Sequence, residues 1–216
     1  MLFECVILLH GLARTDLSMI TLERSLKNDN YEVVNYQYPS REYEVEELAN
    51  HVSSAIESCS GESKAIHFVT HSLGGILLRQ YLSDQGIPKL DKVVMLAPPN
   101  KGSEVVDKLG KYGFFKLFNG PAGLQLGTSD QSIPNSIGAW PEDSGSLGII
   151  AGEKSINLFL SYLIPDKDDG KVSIDSTKLE GMADHKVMKT THAMMMHNGR
   201  VINEIKTFLK SGSFSE

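Results

Sequence analysis

The chain has 216 residues, of which 41% are hydrophobic, and it carries a formal net charge of −6. This length and apolar content suffice for one hydrophobic core, so we expect residues 1–216 to form a single domain. Charges of both signs are spread along the chain without a basic block, which argues against a nucleic-acid partner.

The first twelve residues, MLFECVILLHGL, predict neither a signal peptide nor a membrane span. Glu4 lies where a signal peptide carries positive charge, and the apolar run ends at Leu9. We therefore expect a cytoplasmic protein without a transmembrane segment. Cys5 lies in this apolar run and Cys59 on the buried face of a predicted helix. We expect both to be free thiols that pack as small hydrophobic groups, with a disulfide between them as the alternative.

Strands and helices alternate along the first half of the chain. The apolar run over residues 2–9 is typical of a strand buried on both faces, and apolar residues recur at helical spacing over residues 43–58. The predicted order is strand 2–9, helix 16–28, strand 31–37, helix 43–58, strand 65–71, helix 73–84 and strand 92–97. This alternation favours a mostly parallel sheet with helices on both faces.

The second half is less regular. Residues 98–146 are rich in Gly, Pro and Ser and contain two short helix candidates, at 103–109 and 113–118. Strands are predicted at 146–152 and 185–190, and a C-terminal helix contains Val201 to Leu209. We therefore expect an α/β protein with a sheet of about six strands.

The segment FVTHSLGGILL carries the strongest chemical signal. It predicts an apolar strand, then Ser72, then the start of a helix. A serine hydroxyl becomes a nucleophile when an adjacent base takes its proton, and a sharp strand-to-helix turn would lift Ser72 Oγ clear of the backbone. Thr70 replaces the first glycine of the usual G-x-S-x-G motif, so we expect a slightly less sharp turn. The alternative is that Ser72 only caps the helix.

Two backbone N–H groups are candidates for an oxyanion hole, which stabilises the charged oxygen of an acyl-transfer intermediate. One belongs to Leu73, directly after the nucleophile. The other belongs to Leu12, which follows the first strand and His10-Gly11. The alternative for His10-Gly11 is an ordinary turn that ends the strand.

The position of His192 favours it as the general base among seven histidines. It follows the last predicted strand, at the sheet edge where ligands bind in open α/β sheets. The ring of His71 is expected to turn away from the adjacent hydroxyl and to support the turn, and His197 is expected at the start of the last helix.

The acid that orients the base is expected between Ser72 and His192, within LIPDKDDGKVSIDST. We favour Asp169, because Gly170 permits the turn that aims a carboxylate inward and KVSI follows as a short extended stretch. Asp168 is the alternative. The glycine lies one position too early for a calcium-binding loop, and we predict no metal and no cofactor.

Four segments, LLHGLART, FVTHSLGG, APPNKGSEVVD and DDGKVSIDST, together resemble small bacterial lipases and esterases of the α/β-hydrolase superfamily. The resemblance covers nearly the whole chain. It implies a compact α/β-hydrolase fold that lacks the first two strands of the usual eight. The resemblance also implies a catalytic triad and an oxyanion hole. Their members are Ser72, Asp169 and His192, with the backbone N–H groups of Leu12 and Leu73.

The sequence thus predicts a serine carboxylic-ester hydrolase that acts on a small ester or lipid through an acyl-enzyme. Short or medium acyl chains are favoured because no long amphipathic lid is evident. Two rival hypotheses are an acyltransferase or thioesterase with the same triad, and a non-catalytic binding module on the hydrolase fold. The oligomeric state stays open.

Residues 98–146 are expected to form part of the acyl pocket or a partial cap. Within them, KYGFFKLF (111–118) either packs onto the core or faces lipid as a lid, which would allow transient contact with a membrane surface. Met194 to Met196 either line the acyl pocket or fill the core under the last helix.

Overall fold

The computed structural model describes residues 4–155, 161–164 and 166–216. Within these residues, six strands form one sheet, in which all neighbouring pairs are parallel and the order is β2-β1-β3-β4-β5-β6. The strands are β1 (Glu4–Leu9), β2 (Glu32–Tyr36), β3 (Ala65–His71), β4 (Leu90–Leu96), β5 (Ser146–Gly152) and β6 (Asp184–Met188). The predicted parallel sheet of about six strands is confirmed.

Helices connect these strands largely where the sequence predicts them. They are α1 (Ile20–Lys27), α2 (Val45–Ala49), α3 (His51–Glu57), α4 (Leu73–Asp84), α5 (Glu104–Leu109), α6 (Gly113–Leu124), α7 (Ile133–Ser136), α8 (Ile174–Thr177) and α9 (Gly199–Ser211). The helix predicted over residues 43–58 is divided at Asn50 into α2 and α3. Helix α6 extends six residues beyond its predicted end and bends at Gly120, where φ is 66°.

The core has two layers, one on each face of the sheet. Along β1, Cys5, Ile7 and Leu9 face the layer that holds α2, α3 and α4. Val6 and Leu8 face the opposite layer, which holds α1 and α9. The apolar run of the first strand is continuous because both of its faces are buried.

Several local expectations are decided by this packing. Met195 and Met196 belong to the core layer under α9, so the core-filling interpretation is confirmed for them, whereas Met194 is exposed. The stretch KVSI is extended only as far as Ser173, which forms an isolated bridge with Asp168, and α8 begins at Ile174. His197 ends a short 3₁₀ turn just before α9 instead of starting the helix.

Among the described residues, no helix has the length and apolarity needed to cross a membrane.

Cys5 and Cys59 form a disulfide bond, so the expectation of two free thiols is wrong. Their Cα atoms lie 6.1 Å apart, within the range that a disulfide requires. Cys5 points into the layer that contains α3, and Cys59 lies just beyond the end of that helix, packed against the same layer. The sequence pattern describes the burial of each cysteine separately, whereas their proximity follows from where the turn after α3 lies relative to β1.

The disulfide should contribute to stability because it closes a loop with a sequence separation of 54 residues. Chain-entropy arguments give about 4 kcal/mol for a loop of this length. We predict that dithiothreitol lowers the urea midpoint of the wild-type protein but leaves that of Cys59→Ala unchanged. An equal response of the two proteins to dithiothreitol would contradict the assignment of the bond.

Candidate active site

Ser72 lies between β3 and α4 in a backbone conformation that few non-glycine residues adopt. Its φ is 52° and its ψ is −117°, and its N–H donates to the Leu96 carbonyl oxygen at 2.9 Å. Such conformations cost about 1–3 kcal/mol and persist where the surrounding structure holds them. This turn therefore presents the Ser72 side chain at the carboxyl edge of the sheet.

Thr70 is accommodated at the position where the usual motif has glycine. The residue is fully buried in β3, and Gly75 lies opposite its side chain. A Cβ at position 75 would lie 3.2 Å from Thr70 Oγ1, tighter than ordinary contact. The second glycine of SLGG thus leaves the space that the threonine side chain occupies, and the turn keeps its strained geometry.

Asp169 and His192 are joined through both side chains and backbone. His192 Nδ1 lies 2.8 Å from Asp169 Oδ2, and the His192 N–H donates to the Asp169 carbonyl oxygen at 3.0 Å. The other carboxylate oxygen, Asp169 Oδ1, accepts from the N–H groups of Lys171 and Val172, each at 3.0 Å. With Nδ1–H bonded to the carboxylate, the neutral imidazole presents Nε2 as its acceptor.

Asp168, the alternative acid, has a different set of partners. Its Oδ1 accepts from the Gly170 N–H at 2.6 Å and from the Ser161 hydroxyl at 2.7 Å. Gly170 itself has a φ of 102°, which favours glycine. Asp168 therefore shapes the turn, while Asp169 contacts the histidine.

His71 holds the backbone of His192, a role that its position next to Ser72 did not predict. Its Nε2 lies 2.9 Å from the His192 carbonyl oxygen, and the two ring centroids lie 4.7 Å apart. Burial, followed by the nearby His192, lowers the pKa of His71 well below its usual range, so the ring is neutral and Nε2–H donates. A Cβ at Gly11 would lie 2.6 Å from His71 Nδ1, so only glycine fits the facing loop.

Leu12 and Leu73, the two candidates for the oxyanion hole, have their N–H groups free of helical or turn bonds. Leu73 is the first residue of α4, whose N–H has no acceptor within the helix. Leu12 lies in a turn closed by the Arg14 N–H and the Gly11 carbonyl oxygen at 3.2 Å, and Ala13 has a φ of 55°. Within residues 4–155, 161–164 and 166–216, no acceptor is found for the Leu12 N–H.

The segment that follows β2 fixes this turn. Tyr38 donates its hydroxyl hydrogen to the His10 carbonyl oxygen, and its ring stacks on His10 at a centroid distance of 4.1 Å. The Tyr38 N–H donates to His10 Nε2 at 3.3 Å, and the Ala13 N–H donates to Ser40 Oγ at 3.1 Å. No sequence motif predicts these supports, although the adjacency of β1 and β2 in a parallel sheet would bring the ends of both strands together.

A cavity of about 240 Å³ opens beside these groups. Ser72, His192, His71 and Leu12 line it, while Asp169 lies behind His192. Its apolar wall comes mainly from residues 98–146 and contains Val105, Val106, Leu109, Phe115 and Leu126. The described residues contain no group of three or more His, Cys, Asp or Glu that could hold a metal ion.

No family model matches the chain, and no curated protein matches it. Among solved structures, phospholipase PlaB from Legionella pneumophila has 23% sequence identity and a TM-score of 0.65, over 81% of this chain and 45% of that one. The chain therefore spans about half the length of that phospholipase.

Two other structures match over more of their own length. Lipase BlEst2 from Bacillus licheniformis in its mature form has 16% identity and a TM-score of 0.69, over 94% of this chain and 89% of that one. A metagenomic carboxyl esterase has 16% identity and a TM-score of 0.68, over 88% of this chain and 65% of that one. The resemblance in fold to lipases and esterases is thus confirmed, and the chain has the α/β-hydrolase fold.

Proposed function

We propose that the protein is a serine carboxylic-ester hydrolase that forms an acyl-enzyme on Ser72. The observation that carries this proposal is the Asp169–His192 hydrogen bond of 2.8 Å beside the cavity that Ser72 and His192 both line. The lipases and esterases that share the fold support the reaction class. The acid, base and oxyanion donors are assigned from their positions.

In the first step, His192 Nε2 takes the hydroxyl proton of Ser72 as Oγ attacks the ester carbonyl carbon. Asp169 holds the imidazole in the tautomer that accepts this proton and stabilises the imidazolium. The carbonyl oxygen becomes negative, and the N–H groups of Leu12 and Leu73 stabilise it.

In the second step, the imidazolium of His192 gives its proton to the departing alcohol, and the bond between carbonyl carbon and alcohol oxygen breaks. The acyl group remains on Ser72 Oγ. A water molecule then attacks the acyl-enzyme while His192 takes its proton, and breakdown of the second intermediate releases the carboxylic acid and restores Ser72.

The cavity supports a preference for short or medium acyl chains. Its volume of about 240 Å³ lies below the ~300–1,000 Å³ of pockets that bury a drug-sized ligand. The apolar side chains of α5 and α6 would contact the acyl chain, which fits the predicted contribution of residues 98–146 to the acyl pocket.

Helix α6 offers a means of transient contact with a lipid surface. Phe115 lines the cavity, whereas Phe114, Leu117 and Phe118 are 57%, 76% and 63% exposed. Neighbouring apolar side chains that are exposed together are typical of surfaces that bind a protein or a membrane. Insertion of these side chains among lipids would bring the cavity wall next to an ester-containing surface.

Two rival functions use the same geometry differently. An acyltransferase or thioesterase would form the same acyl-enzyme, and product transfer to an added alcohol or a preference for acyl-CoA would distinguish it. A binding module would not turn over any ester. The Cys5–Cys59 disulfide argues against the cytoplasmic location that the sequence predicts, because a reducing compartment would keep both cysteines as thiols.

Ser72→Ala should abolish hydrolysis of p-nitrophenyl butyrate, because it removes the attacking oxygen and adds no group that could replace it. We expect kcat to fall by at least about 10³-fold, with an unchanged thermal midpoint. Initial rates and a thermal melt measure the two quantities. Equal turnover by the variant and the wild type would reject the mechanism.

Asp169→Asn should lower kcat by about 10⁴-fold, since an amide beside Nδ1 no longer favours the required tautomer. Asp168→Asn is the matched control, because the Asn oxygen can still accept from the Gly170 N–H and Asp168 does not contact His192. We expect a loss of less than about tenfold for the control. Steady-state kinetics measure kcat for both variants. A larger loss of kcat in Asp168→Asn than in Asp169→Asn would contradict the assignment of the acid.

A further inference from the structure

Two positively charged side chains, those of Arg14 and Lys171, line the cavity that holds Ser72. Arg14 ends the turn that contains Leu12, and Lys171 follows Gly170 in the turn of the acid. Each therefore lies two residues from a group of the proposed mechanism. The proposed mechanism does not use either charge.

Neither side chain has a hydrogen-bond or ion-pair partner among residues 4–155, 161–164 and 166–216. Nearby, by contrast, Lys101 pairs with Asp175 at 2.9 Å. The Asp169 carboxylate attracts Lys171, but its two oxygens already accept from His192 and from two backbone N–H groups. The two cations thus retain their capacity to bind an anion.

The two charges act on the same end of the cavity. Both side chains remain exposed to solvent beside the cavity. Desolvation lowers the pKa of Lys171 from its ordinary value, and the positive charge of Arg14 lowers it further, against the opposing effect of Asp169. Both cations also contribute to the lowered pKa of His71, whose ring lies against His192. The Lys171 N–H donates to Asp169, the partner of His192, and the turn that Arg14 ends faces His71 across Gly11. Arg14 and Lys171 are therefore on the imidazole side of the site.

The imidazole side is where the alcohol part of an ester would lie. His192 gives its proton to the departing alcohol, so the alcohol oxygen must be within reach of the imidazole. The apolar wall formed by Val105, Leu109 and Phe115 is the surface suited to the acyl chain. An anion held by the two cations would accordingly belong to the alcohol.

We propose that Arg14 and Lys171 bind an anionic group in the alcohol part of the substrate, which is thus an acyl ester of a phosphate- or carboxylate-bearing alcohol. This inference rests on the proposed ester hydrolysis. A guanidinium group donates two parallel hydrogen bonds to either anion, and an ammonium group adds a compact positive charge. Repulsion between the two cations is relieved when such an anion binds between them.

Three esters that share the octanoyl chain and differ in the alcohol test the proposal. They are monooctanoylglycerol, octanoylglycerol phosphate and octanoylglycerate. The measured quantity is the ratio of kcat/KM for each anionic ester to that for the neutral ester. We expect wild-type protein to prefer at least one anionic ester by roughly tenfold or more, because hydrogen bonds to charged groups are the stronger ones. Whichever anion is preferred identifies the source of the charge.

The double variant Arg14→Gln/Lys171→Gln should reduce this ratio by about tenfold or more. The matched control is Arg24→Gln/Lys210→Gln, which also removes one arginine and one lysine, but from exposed helical positions outside the cavity. The control should keep the wild-type ratio. Added salt should weaken the preference of the wild type but change that of the double variant little.

A wild-type ratio near one, or equal ratios in the two double variants, would overturn the inference while hydrolysis of the neutral ester still supports the proposed function. If no ester is hydrolysed, the proposed function fails, and binding then decides the inference. Calorimetry with octyl phosphate and octanoate on the Ser72→Ala protein should detect binding that Arg14→Gln/Lys171→Gln weakens. Absence of binding, or binding that this double substitution leaves unchanged, would reject an anion site.

Discussion

The hydrogen bond between His192 Nδ1 and Asp169 Oδ2 is the contact on which the candidate site depends. It joins the turn after Asp168 to the loop after β6, and the backbone bond from His192 N–H to the Asp169 carbonyl oxygen repeats the connection. Because the two N–H groups after Gly170 hold the other carboxylate oxygen, the acid has little freedom to rotate. Its orientation fixes the direction in which the imidazole presents Nε2.

Two histidines that the proposed chemistry does not use, His71 and His10, hold the loops around the site. His71 donates to the carbonyl oxygen of His192, and His10 stacks on Tyr38 beneath the turn of Leu12. Burial lowers the pKa of both rings, so each acts as a neutral group with one donor and one acceptor. The loops that carry the base and the first oxyanion donor are therefore held by buried polar contacts with defined geometry.

The fold could be predicted from the sequence where periodicity and burial decide the structure. The strand over 65–71 and the helix over 73–84 have the predicted bounds because FVTHSLGG changes directly from a buried strand to a helix. Gly170 and the KVSI stretch after it favour Asp169 as the partner of His192. Asp168 remained an alternative because the direction of each carboxylate depends on bonds to Ser161 and to backbone groups that the sequence does not reveal.

Contacts between distant segments lay beyond that reasoning. The Cys5–Cys59 bond depends on where the turn after α3 lies relative to β1, and the support of the Leu12 turn by Tyr38 and Ser40 depends on the order of strands in the sheet. Arg14 and Lys171 lie far apart in the sequence, which assigns no role to either charge. Only the folded chain brings them to one cavity.

The most direct measurement of whether His192 activates Ser72 is labelling with a fluorophosphonate, followed by mass spectrometry of the peptides. Activation of Ser72 by His192 predicts one adduct per molecule, on Ser72, formed rapidly by the wild type and far more slowly by His192→Ala. Failure of the folded wild-type protein to form that adduct, or equal labelling rates in the two proteins, would contradict it.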